Sequence, residues 1–291
     1  MKKKKSKSDW VMDIIIYSIL LLITVVCLYP VWYVFVASFS SGTELAKNPG
    51  ILLWPKDFTA SAYKLVFENH LFMNSFFNSI KVLVVSLPIN IVLTLLCGYF
   101  LACSGMMFKK PITFMIMFTM FFGGGLIPGY LNIKDLGLYN TFWVLVLPGA
   151  LSVYNAIICK TSIEAIPESL KESAYIDGAN DLRIIFSIIM PLLKPTLAVL
   201  LLYYGVSHWN SWFAASIYIK EDELLPVQNV LRSILLANST LEGAGAGDTY
   251  NAYAETIKYV AIVVSTVPIL CIYPFLQKYF AKGAMIGAVK G

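Results

Sequence analysis

Reactive side chains are scarce in this chain of 291 residues, which has two histidines, His70 and His208, of which only His208 lies well inside an apolar run. Cys27, Cys97, Cys103, Cys159 and Cys271 are scattered through apolar stretches without ligand-like spacing, so they read as buried thiols rather than as metal ligands or disulfides. No nucleophile, general base and metal set cluster as an active site needs, so no bond chemistry is expected. Gly123-Gly124-Gly125 lacks the lysine of a phosphate-cradling loop. Two groupings remain. Residues 160–194 concentrate nine charged side chains. The run Tyr203-Tyr204-Gly205-Val206-Ser207-His208-Trp209-Asn210-Ser211-Trp212 mixes aromatic rings with amide and hydroxyl groups. Rings stack on apolar CH faces and the polar groups pair with hydroxyls, which suits a polyhydroxylated ligand held weakly.

The elements that must position these groups follow from composition. Hydrophobic residues make up 58% of the chain and Asp, Glu, Lys and Arg only 13%, with mean hydropathy +0.72. A soluble domain carries about 25% charged residues, so a soluble globule, a disordered chain, a collagen-like fibre and a secreted disulfide scaffold are all excluded. The chain reads as an all-α, polytopic membrane protein. Stretches of about 20 apolar residues give six spans, at Ile14–Phe39, Val82–Phe108, Ile112–Ile133, Leu138–Cys159, Pro195–Ile219 and Tyr259–Gln277. The first is too long for a signal-peptide core and no small-residue cleavage site ends it. The organisation expected is a basic cytoplasmic segment, residues 1–13, followed by one transmembrane domain over 14–291.

Charge sets the orientation. With both termini placed in the cytoplasm, 14 of the 22 Lys and Arg fall inside, among them Lys2–Lys5 and Lys7, Lys109, Lys110, Lys160, Lys171, Arg183 and Lys194. The outer segment 218–258 is acidic. This is the positive-inside pattern. The N-terminal lysines, followed at once by an apolar run, read as an anchor on anionic membrane lipid, not as a nucleic-acid arm. No span has an Asp, Glu, Lys or Arg near its centre, whereas ion-coupled carriers usually bury such groups. The driving energy is therefore expected to come from another polypeptide.

The segment 160–194 is patterned as two short helices. Pro167 suits a first turn, Glu168 favours the positive end of the helix dipole, and Gly178 supplies a left-handed stop. Asn180 or Asp181 can cap a second helix carrying Ile184, Ile185, Phe186, Ile188 and Ile189 and ending before Pro191. Glu168, Lys171, Glu172 and Tyr175 fall on one face of the first. A solvated connector needs neither paired caps nor an apolar second helix, and a stiff pair is better suited to seating in a partner's groove.

Glu172-Ser173-Ala174, then Gly178, then Ile188-Ile189-Met190-Pro191 resembles the EAA signature of ABC-importer permeases, Glu-Ala-Ala, three residues, Gly, nine residues, Ile-x-Leu-Pro. Ser173 and Met190 are mild departures. Asn74-Ser75, Asn78-Ser79, Leu136-Gly137-Leu138-Tyr139-Asn140-Thr141 and the ending Gly287-Ala288-Val289-Lys290-Gly291 are similar to carbohydrate-uptake permeases of the MalG-like type. Gly123–Pro128 and Lys282–Gly287 resemble the Gram-positive LplC/YtcP-like branch.

The resemblance implies a six-helix subunit of a bacterial plasma-membrane importer, with a coupling-helix loop between the fourth and fifth helices. It implies a second homologous permease subunit, two cytoplasmic ABC ATPases that bind ATP and Mg, and an extracellular lipid-anchored sugar-binding protein. No cofactor is expected on this chain. Glu172 would face a basic group of the ATPase, with Ala174 and Gly178 allowing close approach and Asp177 and Pro191 completing the coupling set. The terminal stretch 288–291, in the cytoplasmic tail 278–291, would also reach the ATPase pair. The cargo would be an oligosaccharide or complex glycan. An ABC permease for peptides or another solute, and a secondary carrier or channel, remain as alternatives.

Tyr204, His208 and Trp212 fall on one face at four-residue steps, with Ser211 beside them, and Trp209 and Asn210 in the same run are candidates with them. They line either a glycan path or an aromatic belt at the membrane interface. Tyr154 and Asn155, and more weakly Tyr130 and Asn132, are further path candidates. The outer segments Ser40–Ser79 and Lys220–Thr256 are long enough for small helices, and Gly243–Gly247 reads as a loop tip.

Overall fold

The computed structural model describes residues 7–47, 50–243, 255–272 and 274. Among these, the regular elements are helices, apart from one isolated antiparallel bridge between Ser40 and Phe58. In chain order they are α1 (Lys7–Ser38), α2 (Gly42–Lys47), α3 (Ser61–Glu68), α4 (His70–Ala102), α5 (Lys109–Phe121), α6 (Leu126–Asp135) and α7 (Val153–Glu164). There follow α8 (Glu168–Ile176), α9 (Asp181–Leu192), α10 (Lys194–Trp209), α11 (Phe213–Tyr218), α12 (Val227–Gly243) and α13 (Glu255–Ile272).

Three helices, α1, α4 and α13, are long and apolar enough to cross a membrane. Two further stretches qualify only as bent pairs. The first is α5 with α6, at 118°, and the second is α9 with α10, at 89°. The third apolar stretch is therefore not one straight helix. Gly123-Gly124-Gly125 interrupts it, because successive glycines are poor helix formers, and Pro128 then sits in the first turn of α6. The fourth, 138–159, departs furthest from a straight span. It holds a short 3-10 turn at Phe142–Leu145, an irregular stretch around Pro148 and Gly149, and only then α7, whose N-cap Ser152 accepts from Asn155 N–H at 3.4 Å. The fifth stops at Trp209 and resumes as α11.

The chain divides into two packed units. In the unit of Met1–His70 and Leu231–Thr266, α1 leaves Trp10 to Phe35 largely exposed along its apolar length, so Cys27 is exposed. Cys271 on α13 is exposed as well, and of the five thiols expected to be buried only Cys159 is fully so. Its far end is tied down by polar contacts. Trp32 Nε1 donates to Leu53 O at 3.1 Å, the Leu52 amide donates to Tyr29 Oη at 3.1 Å, and the Ser38 and Tyr63 hydroxyls meet at 2.8 Å. The small helices expected in Ser40–Ser79 are α2 and α3. Residues 244–247 of the expected glycine-rich tip, Lys2–Lys5 and the tail 278–291 lie outside the described residues.

The other unit, Leu71–Val230 with Val267–Gly291, carries its main core where α4, α7, α8, α9 and α10 meet, around Leu95, Cys159, Ile163, Ile184, Ile189 and Leu200. A smaller cluster of Ile133, Val144, Ala215 and Ile219 packs beneath a knot built on Asn140. Asn140 has φ 55° and accepts from the Lys220 and Glu221 amides at 2.8 and 3.1 Å while donating to Glu221 Oε1 at 2.9 Å.

Close approach of α4 to α7 depends on Gly98. A Cβ there would stand 2.8 Å from Cys159 Sγ, 2.9 Å from Cys159 Cβ and 3.2 Å from Lys160 N. Gly98→Ala is expected to force the helices apart at a cost of about 1–3 kcal/mol, seen as a lower thermal midpoint in detergent. Adding Cys159→Ala, which removes the nearest atom, should recover part of that loss. An unchanged midpoint in Gly98→Ala contradicts this packing.

Candidate functional site

Two places in the second unit bring together the residues that the sequence singles out. The first is the elbow formed by α8 and α9. Gly178 has φ 78°, a left-handed conformation that an L side chain adopts only with strain. The Ala179 amide donates to Ala174 O at 2.9 Å and the Gly178 amide to Tyr175 O at 3.0 Å, so the last carbonyls of α8 are satisfied in a Schellman close. The Asn180 side chain then caps α9 by accepting from Arg183 N–H at 2.9 Å. These local signals act as the sequence led one to expect, with one correction. The second helix does not end before Pro191 but runs through it to Leu192, by widening into a π turn over Ile184–Ile189. Proline has no N–H and its ring clashes with the carbonyl four residues back, and a wider turn relieves both problems.

A side-chain bridge fastens the elbow to the end of α4. Tyr99 Oη donates to Asp181 Oδ1 at 2.8 Å, and Tyr175 Oη donates to the same oxygen, with the two hydroxyl oxygens 3.0 Å apart. The Tyr175 hydroxyl, and after it that of Tyr99, holds the Asp181 carboxyl below the usual carboxylate range. Ala174 is buried beneath α8 in the main core, whereas Glu172 and Asp177 are exposed. Glu168, Lys171, Glu172 and Tyr175 do share a face, and with Ser104–Met106 they line a polar notch of about 280 Å³.

The second place is a cavity of about 750 Å³ between the irregular stretch after Leu145 and the far half of α10. Tyr154, Asn155, Tyr204 and His208 line it, joined by Ser207 and Ser211. The other candidates, Trp209, Asn210, Trp212, Tyr130 and Asn132, are not in its lining. Trp212 lies beyond the end of α10 and precedes α11, so the four-residue rhythm breaks before it. Trp209 points to another face, where it is buried with Phe76 edge-on at 5.8 Å. Asn210 is the C-cap of α10, its amide donating to Val206 O at 3.1 Å. Tyr130 stacks on Tyr218 with ring centres 6.0 Å apart, away from the cavity.

Asn90 and Thr94, neither of them prominent in the sequence, hold the cavity wall. Asn90 is fully buried, and its amide nitrogen donates to Gly149 O at 3.1 Å and Ala150 O at 2.8 Å. Its oxygen lies 3.0 Å from His208 Nε2. Tyr204 Oη accepts from the Ser152 amide at 2.9 Å and pairs with Thr94 Oγ1 at 2.7 Å. An Asn one turn before a Thr in an otherwise apolar span was the available signal. Among the described residues, no group of three or more His, Cys, Asp or Glu could hold a metal ion.

Comparison with known proteins places this geometry in context. Residues 2–286 match the family model described as binding-protein-dependent transport system inner membrane component. The chain is 39% identical over 281 residues to the polygalacturonan/rhamnogalacturonan transport system permease protein YtcP of Bacillus subtilis (strain 168), covering 96% of this chain and 98% of that protein. It is 39% identical over 269 residues to protein LplC of the same organism, covering 91% and 90%. Among solved structures, it superposes with a TM-score of 0.87 on a chain of a bacterial ABC transporter involved in the import of the acidic polysaccharide alginate. That match has 32% identity and covers 96% of this chain and 100% of the other.

Asp181→Ala removes the acceptor of two hydroxyls, one of them on buried Tyr99, which is expected to cost about 1–3 kcal/mol. Amide exchange in α8 should quicken while exchange in the middle of α4 is unchanged. Because the Asp181 carboxyl is held below its ordinary value, its contribution is complete above the usual carboxylate range. It fades as pH falls through the depressed value. Equal protection of α8 in the variant and the parent protein contradicts the bridge.

Proposed function

The chain belongs to the family of binding-protein-dependent transport system inner membrane components, and from that premise we propose that it is one of two homologous permease subunits of an ATP-driven importer of oligosaccharides or complex glycans. As a family member it is a multi-pass membrane protein of the bacterial plasma membrane and is not itself an enzyme. An extracellular lipid-anchored binding protein delivers the glycan, and two cytoplasmic ATPases, which hold ATP and Mg, drive its passage. The domain is residues 14–291, with six crossings and both termini in the cytoplasm, and the basic segment 1–13 lies against anionic lipid. The glycan class is supported by the similarity to YtcP, a polygalacturonan/rhamnogalacturonan permease, and to the chain of the alginate importer.

One observation carries the mechanism. The α8–α9 elbow is closed by its own caps and bridged to α4 through Asp181, so it is a stiff projection rather than a connector. Stiffness is what a lever requires. Residues 160–194 form the coupling loop in this reading, with exposed Glu172 meeting a basic group of the ATPase, and Asp177 and Gly178 shaping the turn beside it. Ala174 and Pro191 act within the chain, packing α8 onto the core and setting the run of α9.

The cavity lined by Tyr154, Asn155, Ser207 and His208 is this subunit's share of the glycan path. Irregular backbone at membrane depth is tolerated where it is buried or lines a cavity, and discontinuous helices mark binding sites in many transporters. Residues 146–152 fit that description. Tyr204 serves the path from behind, as a clamp on its wall.

Glu172→Arg is expected to leave membrane insertion unchanged and to lower glycan uptake roughly tenfold or more, since it sets a cation against a cation, while ATP hydrolysis no longer follows substrate. Normal uptake by the inserted variant overturns the coupling assignment.

A further inference from the structure

We propose that His208 presents a proton-free Nδ1 to the cavity and accepts a hydrogen bond there from a glycan hydroxyl. This rests on reading the cavity as part of the glycan path.

Hydrogen-bond polarity dictates the tautomer. Gly149 O and Ala150 O can only accept, so the Asn90 atom facing both, at 3.1 and 2.8 Å, is the amide nitrogen. Asn90 Oδ1 is therefore the atom 3.0 Å from His208 Nε2. That oxygen carries no proton, and the contact is a hydrogen bond only when Nε2–H donates it. Asn90 is fully buried, so the amide has no solvent-facing alternative to this pairing. No carboxylate is present in the cavity lining to hold an imidazolium, and the ring is accordingly neutral with its lone pair on Nδ1. Among the described residues Nδ1 has no hydrogen-bond partner.

A lone pair facing the cavity selects its ligand. It welcomes an O–H donor and repels a carboxylate oxygen. Ser207 and Ser211, which line the same cavity, can each donate and accept and so add no bias of their own. At this point the path meets a hydroxyl-bearing face of the glycan, whatever charge the sugar carries elsewhere. Asn90 is a positioning residue in this scheme. Two backbone carbonyls fix its amide, and the amide fixes the imidazole.

The test uses this chain assembled with its partner subunits in lipid nanodiscs, with 15N-labelled histidine and trigalacturonate as the probe. Subtracting the spectrum of His208→Gln from that of the parent protein isolates one imidazole. A protonated Nε2 and a bare Nδ1 are expected, with the Nδ1 resonance moving as trigalacturonate saturates. Uptake of the probe by His208→Gln, whose amide can still donate to Asn90, should fall about three- to tenfold, the worth of one neutral hydrogen bond. An Nδ1-protonated ring, an imidazolium, or a bare Nδ1 that ignores the saturating probe overturns the proposal. The path reading fails separately, if Ser211→Trp, which fills the cavity, leaves uptake normal while the tautomer is as expected.

Discussion

Backbone that leaves regular helix must find partners for its own polar groups, because each one buried bare costs several kcal/mol. The stretch 146–152 meets that demand with two side chains from elsewhere in the chain. Asn90 takes the carbonyls of Gly149 and Ala150, and Tyr204 takes the amide of Ser152. Remove these contacts and the irregular segment has no reason to hold its shape. The cavity beside it, the orientation of His208 and the start of α7 all follow from that settlement.

The elbow obeys the opposite logic. Its order is local, set by residues within a few positions of one another. Gly178 closes α8, Asn180 opens α9, and the apolar side of α9 joins the main core through Ile184, Ile185 and Ile189. The two kinds of order meet in one unit: a cavity wall held by side chains distant in sequence, and an elbow held by its own caps.

The elbow was legible in the sequence because caps and stops are short-range chemistry. The apolar runs that became α1, α4 and α13 were legible too, since hydrophobic length is a sum over neighbours. Continuity was not. Apolar composition says that a stretch prefers lipid, not that it is straight, and counting apolar length passed over the local breakers Gly123-Gly124-Gly125 and Pro148-Gly149. Trp212 was placed on a helix that had already ended at Trp209, and the passage beyond Pro191 depends on a π turn with no simple pattern. Asn90 was missed because its partners lie 59, 60 and 118 positions away, where no window of sequence joins them.

The contacts of α4 have a mechanical consequence. Asn90 and Thr94 grip the cavity wall, and nine residues after Asn90, with no proline between, Tyr99 grips Asp181. At 1.5 Å per residue these anchor points stand about 13 Å apart on one rod. A push that shifts the elbow along its axis must carry the wall with it or else snap a hydroxyl–carboxylate contact. The length of that rod fixes the spacing between the cavity wall and the elbow.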